Sequence, residues 1–245
     1  MALVTGGAGA IGAATCKRLA AAGMKVAVVD VRGDAAAKVA SAIRNEGDDA
    51  EPFTADLISE TEIVALVEAV MKRFGRIDLL HNNAVANGVI DKDGDLLSLT
   101  VDVWDKMFAV NARAPMLLSR QVVPHMIANG GGVIINTSSG ASELPAIDAR
   151  TAYGPSKGAL EVLTRYIALQ YGAKGIRCNA ILPGVVLTPG MEKMFSQDQL
   201  DEMIGRTMMR RFNQPEDIAA MVQFLASDDA RQVTGELIRV DGGRP

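Results

Sequence analysis

The sequence predicts an α/β fold in which about seven parallel strands form a doubly wound sheet with helices on both faces. Short apolar runs typical of strands alternate with segments of helical periodicity along the whole chain. Small polar residues follow six consecutive strand-like runs, as at the carboxyl edge of such a sheet. The composition, 49% hydrophobic with 24 glycines, allows a sizeable core and many tight turns. No linker or repeat interrupts the 245 residues, so we expect a single domain spanning 1–245.

The first half of the chain contains four predicted strands. The first lies within residues 2–5 and leads into a glycine-rich turn and a helix that ends near residue 22. This strand has almost no leader, so we expect it to be short or frayed. The elements that follow are predicted at 25–30 (strand), 34–46 (helix), 50–57 (strand with its exit loop), 59–74 (helix) and 77–84 (strand).

The second half continues the alternation after a polar segment, residues 87–98, that is predicted to be a loop. Residues 100–128 have helical periodicity, with a break expected between Asn111 and Pro115. The helix at 152–173 includes Pro155, which is tolerable only in the first turn. The remaining elements are predicted at 131–139 (strand), 176–184 (strand), 215–226 (helix) and 237–240 (strand).

Composition and charge exclude several classes of function. The net charge of −4 comes from interspersed acidic and basic residues, which does not indicate nucleic acid or an anionic membrane as a partner. Cys16 and Cys178 lie in apolar segments and are expected to be reduced core residues, and His81 and His125 lack metal-ligand spacing, so no metal is expected. No signal peptide or long apolar run occurs, so we expect a soluble, cytoplasmic protein.

A glycine-rich turn after the first strand favours a dinucleotide ligand. Glycines at this place let backbone N–H groups and a helix N-terminus approach a pyrophosphate. Asp30, at the end of the second strand, suits the ribose hydroxyls of an adenosine and would repel a 2′-phosphate, which favours NAD over NADP. Arg32 nearby could instead favour the phosphorylated cofactor, and Asp30 could simply cap a helix.

Tyr153 and Lys157 lie four residues apart in a predicted helix, so their side chains share one face. An ammonium group beside a phenol favours the phenolate and should lower the pKa of the tyrosine. Such a tyrosine can exchange a proton with an alcohol or a carbonyl near neutral pH. The pair alone is common by chance, but other polar residues are predicted to gather at the same edge of the sheet.

Taken together, these motifs resemble the short-chain dehydrogenase/reductase family, over nearly the whole chain and in the family's order. The matching stretches are TGGAGAIG (5–12), Asp30, DL (56–57), NNA (82–84), Asn111, Ser139, Tyr153 with Lys157, PG (183–184), RFNQPEDIA (211–219) and VTGELIRVDGG (233–243). The resemblance implies a Rossmann-like fold and a nicotinamide cofactor.

The resemblance also implies the roles of individual residues. Tyr153 matches the proton donor or acceptor, Lys157 the lysine that lowers the pKa of the tyrosine and binds the nicotinamide ribose, and Ser139 the serine that bonds the substrate oxygen. Asn111 matches the asparagine of a water-linked proton path, although a residue at a helix kink would look the same. The implied cofactor-binding residues, besides Tyr153 and Lys157, are Gly6, Gly9, Ala10, Ile11, Gly12, Asp30, Val31, Asp56, Leu57, Asn83, Ala84, Pro183, Gly184, Val186 and Thr188.

Two positions depart from the family pattern without removing a catalytic group. Ala10 stands where the glycine turn usually has its middle glycine, which leaves less room for a pyrophosphate. Val85 follows NNA where a glycine is usual, which should stiffen the loop and narrow the pocket.

The substrate is expected to lie beneath a methionine-rich lid at residues 185–212. These methionines could form a pliable apolar pocket or could anchor the lid to the core. Glu143 could bind a polar group of the substrate or only cap its loop. The predicted pocket residues are Ser139, Gly140, Ala141, Glu143, Asn87, Val185, Met191 and Met194.

The sequence therefore predicts an NAD(H)-dependent oxidoreductase that interconverts a secondary alcohol and a ketone on an apolar or cyclic small molecule. The alternatives are an NADPH-dependent ketoreductase of biosynthesis and, with less support, a non-catalytic NAD-binding sensor. Family relatives usually form tetramers through the helices at 100–128 and 152–173, so a homotetramer is expected. The apolar face with Leu160, Leu163, Ile167 and Tyr171 could serve this contact or could face the sheet.

Overall fold

A parallel sheet is the centre of the fold in the computed structural model, which describes residues 1–144, 150–188 and 196–243. Within these residues seven strands pair in the order β3-β2-β1-β4-β5-β6-β7, every neighbouring pair being parallel. The order reverses between β1 and β4, and ligands of such sheets bind at this crevice. The strands are β1 (Ala2–Thr5), β2 (Val26–Asp30), β3 (Ala50–Thr54), β4 (Leu79–Asn82), β5 (Gly132–Thr137), β6 (Ile176–Pro183) and β7 (Leu237–Val240).

Helices cover both faces of the sheet, as the predicted doubly wound fold requires. The helices are α1 (Ala10–Ala21), α2 (Gly33–Asn45), α3 (Glu60–Phe74), α4 (Asn87–Ile90), α5 (Val101–Phe108), α6 (Ala114–Ala128), α7 (Tyr153–Tyr171), α8 (Gln197–Gly205) and α9 (Pro215–Ala226). Buried side chains such as Leu66, Leu118 and Ile167 join α3, α6 and α7 to one face, while Leu19 and Val222 join α1 and α9 to the other.

Three local predictions are corrected or sharpened by the structure. The segment 87–98 is not all loop, because α4 occupies its start. The break expected in 100–128 is a π-helical turn, Ala109–Arg113, and Pro115 lies directly after it, in the first turn of α6. The first strand is short but not frayed, since all four residues are buried between β2 and β4.

The two cysteines are buried thiols, as expected, and burial raises the pKa of both Cys16 and Cys178 above the ordinary range. Among residues 1–144, 150–188 and 196–243, no helix is long and apolar enough to cross a bilayer. The same three stretches contain no cluster of His, Cys, Asp or Glu that could hold a metal ion.

Candidate active site

The glycine-rich turn joins β1 to α1 in a conformation that only small residues allow. Gly6 has a φ of +62°, and a Cβ there would lie 2.9 Å from the Cα of Ala84 at the end of β4. A Cβ on Gly12 would lie 2.1 Å from the carbonyl oxygen of Gly6. Helix α1 begins at Ala10 directly after Gly9, and its first N–H groups, including those of Ile11 and Gly12, have no acceptor within the helix. This cradle fits a pyrophosphate, and the exposed methyl group of Ala10 does not fill it.

Asp30 links the end of β2 to this turn. Its Oδ2 accepts a hydrogen bond from the Ala8 N–H at 3.1 Å, and its Oδ1 accepts from the backbone N–H of Arg32 at 3.0 Å. The guanidinium of Arg32 donates to the same Oδ1 through Nε at 3.2 Å. Asp30 is nearly buried, whereas Arg32 and the neighbouring Val31 are exposed. Asp30, which would favour NAD, and Arg32, which could favour NADP, therefore lie in contact at the end of β2.

The end of β4 borders the same turn, and the end of β3 lies beside the end of β2. The Asn83 side chain donates through Nδ2 to the carbonyl oxygens of Thr5 at 3.1 Å and Gly6 at 3.3 Å, so it ties β4 to the turn. Asp56 is exposed and accepts from the Ile58 N–H at 3.0 Å, while Leu57 packs into the core. These residues and Ala84 lie at the predicted edge of the sheet.

Tyr153 is the first residue of α7, and Lys157 follows one turn later. The Lys157 ammonium lies 5.8 Å from the centroid of the Tyr153 ring and donates to the carbonyl oxygen of Thr137 at 2.7 Å. Only 2% of Lys157 is exposed. Burial lowers the pKa of Lys157 to about 8, and the negative charge of Glu161 partly opposes this shift. The predicted pair therefore shares one helix face, with a cation poised to titrate close to neutral pH.

The two serines after β5 face different surroundings. Ser138 is buried and donates its hydroxyl to Oε1 of Glu161 at 2.6 Å. Ser139 is half-buried and precedes the 3₁₀ turn Gly140–Ser142, where its Oγ accepts from the Ala141 N–H at 3.2 Å. This difference in burial favours Ser139 as the serine that meets a substrate.

Asn111 lies in the π-helical turn and is fully buried beside α7. Its Oδ1 accepts from the Ala86 N–H at 3.2 Å, and its Nδ2 donates to the Ser156 hydroxyl at 3.0 Å. The Ser156 hydroxyl in turn donates to the Tyr153 carbonyl oxygen at 2.7 Å. Asn111 is thus both at the helix irregularity and connected to the tyrosine.

The residues predicted to line the substrate pocket are only partly gathered around Tyr153, Lys157 and Ser139. Glu143 forms an ion pair with Arg239, its Oε2 lying 2.7 Å from Nε, so its carboxylate is already engaged. Asn87 is exposed at the start of α4. Met191 and Met194 lie outside the described residues. Pro183 is the last residue of β6, Gly184, Val185 and Thr188 follow it in sequence, and Val186 bridges to Asn213.

Glu161 was not predicted from the sequence, although it repeats the four-residue spacing of Tyr153 and Lys157. Its carboxylate accepts hydrogen bonds from the hydroxyls of Ser138, the residue before Ser139, and Ser142, the last residue of the 3₁₀ turn. The four-residue spacing is visible in the sequence, but an acidic residue in a helix usually faces solvent, so the spacing alone does not predict a buried glutamate.

His81 was expected to have an ordinary packing role, and its surroundings agree. It is fully buried with Nε2 at 2.8 Å from the Thr137 hydroxyl. Burial, and then the charge of Lys157, lower the pKa of His81 to about 3, so it is neutral at pH 7.

The fold and the glycine-rich turn are typical of a dinucleotide-binding oxidoreductase, and comparison with known proteins gives the family. A family model described as enoyl-(acyl carrier protein) reductase matches residues 6–244, and the chain belongs to the short-chain dehydrogenase/reductase family. The chain is 38% identical over 244 residues to a 7α-hydroxysteroid dehydrogenase from Bacteroides fragilis, covering 98% of this chain and 92% of that protein.

Two solved structures have the same fold throughout. One is a 7α-hydroxysteroid dehydrogenase complexed with NADH and 7-oxo glycochenodeoxycholic acid, with a TM-score of 0.93, 34% identity and coverage of 99% of this chain and 93% of that chain. The other is an NAD⁺-bound xylitol dehydrogenase, with a TM-score of 0.90, 32% identity and coverage of 99% and 97%.

Proposed function

We propose that the protein is an NAD(H)-dependent oxidoreductase that interconverts a secondary alcohol and a ketone on an apolar or cyclic small molecule. The observation that carries the proposal is the buried Lys157 ammonium lying 5.8 Å from the ring of Tyr153 at the start of α7. The two similar solved structures contain NADH or NAD⁺, and one contains an oxidised bile acid, which supports the cofactor and the substrate class.

In this proposal the residues of the chain bind, orient and move one proton. The glycine turn and the N-terminus of α1 bind the pyrophosphate, and Asp30 binds the adenosine ribose. The bound nicotinamide supplies or accepts the hydride. Ser139 donates a hydrogen bond to the substrate oxygen, and Tyr153 exchanges the proton with that oxygen. Lys157 stabilises the phenolate because its positive charge lies beside the ring.

Arg32 supports a second candidate, an NADPH-dependent ketoreductase. Its side chain is 59% exposed beside Asp30, and its guanidinium could meet a 2′-phosphate. We favour NAD because the Asp30 carboxylate lies at the ribose position and accepts a hydrogen bond from the glycine turn itself. We also propose that residues 185–212 close over the substrate as part of the single domain 1–245.

The test measures cofactor reduction and oxidation with hydroxysteroids, polyols and simple secondary alcohols, using NAD and NADP in parallel. Tyr153→Phe should lower kcat by roughly 10²- to 10⁴-fold with little change in the dissociation constant for NAD, since only the proton transfer is removed. Tyr171→Phe is the matched control, because Tyr171 ends the same helix and packs with Lys174, 5.9 Å from its ring.

Each outcome of this assay separates the candidates. Full activity in Tyr153→Phe would remove the proposed mechanism. A strong preference for NADPH-driven ketone reduction would favour the ketoreductase. Tight NAD binding without turnover of any substrate in the panel would favour the sensor.

A further inference from the structure

The N-terminus of the catalytic helix is capped by a side chain from a distant loop. Asp93 lies between α4 and α5, and its Oδ1 accepts a hydrogen bond from the Ala152 N–H at 2.9 Å. Its Oδ2 accepts from the Tyr153 N–H at 2.8 Å. The carboxylate is only 6% exposed, and the neighbouring Gly94 carbonyl accepts from the Thr151 N–H at 3.2 Å. One short loop therefore contacts three successive N–H groups at the entry to α7.

Helix α7 has no cap of its own. The residue at its N-cap is Ala152, whose methyl group cannot accept a hydrogen bond, and Pro155 in the first turn has no N–H. The first turn of a helix otherwise frays, because its N–H groups lack partners within the helix. Tyr153 lies in this turn, so the position of its phenol depends on what holds the turn in place.

The Tyr153 peptide is held on both of its polar groups. Asp93 accepts from its N–H, and the Ser156 hydroxyl donates to its carbonyl oxygen at 2.7 Å. Ser156 is itself held by Asn111, whose Nδ2 donates to the hydroxyl at 3.0 Å. Asn111 is one of the residues that match the family pattern. Asp93 instead lies in a loop with acidic and glycine residues, where the sequence has no helical or strand periodicity.

We propose that Asp93 is a positioning residue for Tyr153, which it holds at the angle and distance from Lys157 that proton transfer requires. The proposal rests on the role of Tyr153 in the proposed function. Asp93 acts through the backbone of the tyrosine and needs no contact with substrate or cofactor. Its negative charge also faces the positive end of the α7 dipole, which stabilises the same turn. Small displacements of a catalytic group lower rates steeply, so the effect of losing Asp93 should appear in kcat.

The kinetic test compares Asp93→Ala with two controls. We expect Asp93→Ala to lower kcat by about 10- to 100-fold while the dissociation constant for NAD changes by less than about 2-fold. Asp93→Asn should recover part of the loss, because an amide oxygen can accept from one of the two N–H groups. Asp95→Ala removes a carboxylate from the same loop that bonds to Ser98 within its own turn. Thr100→Ala removes the N-cap of α5, so it tests whether loss of any helix cap is enough to lower kcat.

Amide hydrogen exchange in the protein without substrate supplies a readout that does not depend on turnover. Asp93→Ala should accelerate exchange at Ala152 and Tyr153, whereas Asp95→Ala and Thr100→Ala should leave these amides protected. Faster exchange with unchanged kcat would overturn the positioning role, and unchanged exchange would overturn the cap. If wild-type protein turns over no alcohol, the proposed function fails and the positioning role fails with it, but the exchange result still decides whether Asp93 caps α7.

Discussion

Lys157 carries a positive charge in a place where water has almost no access. Burial lowers its pKa from 10.5 to about 8, while Glu161 pulls the pKa the other way. A cationic group whose pKa falls on folding destabilises the native state as long as it is protonated. A shift of this size corresponds to a cost on the order of 3 kcal/mol. Lys157 therefore lowers the stability of the native state and places a cation beside the phenol of Tyr153.

Replacing Lys157 with methionine should raise stability and abolish turnover. At pH 7 we expect the free energy of unfolding to rise by about 1–3 kcal/mol, because the desolvated charge disappears while the hydrogen bond to Thr137 is also lost. The unfolded state binds more protons than the native state between pH 8 and pH 10.5, so wild-type stability from this group rises across that window. Denaturant unfolding of cofactor-free protein at several pH values measures the difference.

The sign of the pH dependence is the diagnostic feature of this prediction. The advantage of Lys157→Met should be greatest below pH 8 and should shrink towards pH 10.5. A difference that stays constant across this range would show that packing, not the charge, causes it. Lys174→Met changes an exposed lysine at the end of α7 and serves as the control.

At the scale of elements, the 3₁₀ turn after Ser139 is held against α7 by a close backbone contact. A Cβ on Gly154 would lie 2.8 Å from the carbonyl oxygen of Ala141. Glu161, two turns further along α7, accepts hydrogen bonds from the hydroxyls of Ser138, before Ser139, and Ser142, at the end of the 3₁₀ turn. Helix α7 therefore sets the position of both the tyrosine and the serine.

Gly154→Ala should disturb this contact. We expect a loss of about 1–3 kcal/mol in the free energy of unfolding and a lower kcat, because the Ser139 turn must shift to admit the methyl group. Gly172→Ala, in the 3₁₀ turn directly after the same helix, meets open space at a helical φ of −58° and should instead gain about 0.5–1 kcal/mol with unchanged kcat. Thermal unfolding and turnover of the two variants test the contact, and equal behaviour of the pair would refute it.

A feature of the fold or of the candidate site can be predicted from the sequence when it depends on a local pattern of residues. The strands, the main helices, Asp30, Ser139 and the Tyr153–Lys157 spacing follow from periodicity and motifs, and the fold they predict is confirmed. Helix α4 was wrongly predicted as loop, because four residues are too few to show a helical period. Asp93 could not be predicted, since its partners lie 59 and 60 residues away and depend on the tertiary fold.

At the scale of the whole molecule, α7 has two apolar faces. Leu160 is buried, Ile167 belongs to the core on one side of the sheet, and Leu163 and Tyr171 pack against that core. The opposite face exposes Val162, Tyr166 and Leu169 at helical spacing. Helices α5 and α6 also expose the apolar residues Val101, Trp104 and Met116. We propose that these exposed faces, and not the Leu160 face, form the contacts of a homotetramer.

Leu169→Glu tests this assembly. Leu169 is 81% exposed in the single chain, and a carboxylate there would be buried without a partner if α7 packs against another copy. We expect wild-type protein to sediment at about four times the chain mass of 25.8 kDa and the variant to sediment as a smaller species. Lys38→Glu changes a surface charge on α2 and should leave the mass unchanged. A wild-type monomer, or a variant that keeps the wild-type mass, would exclude this face as an interface.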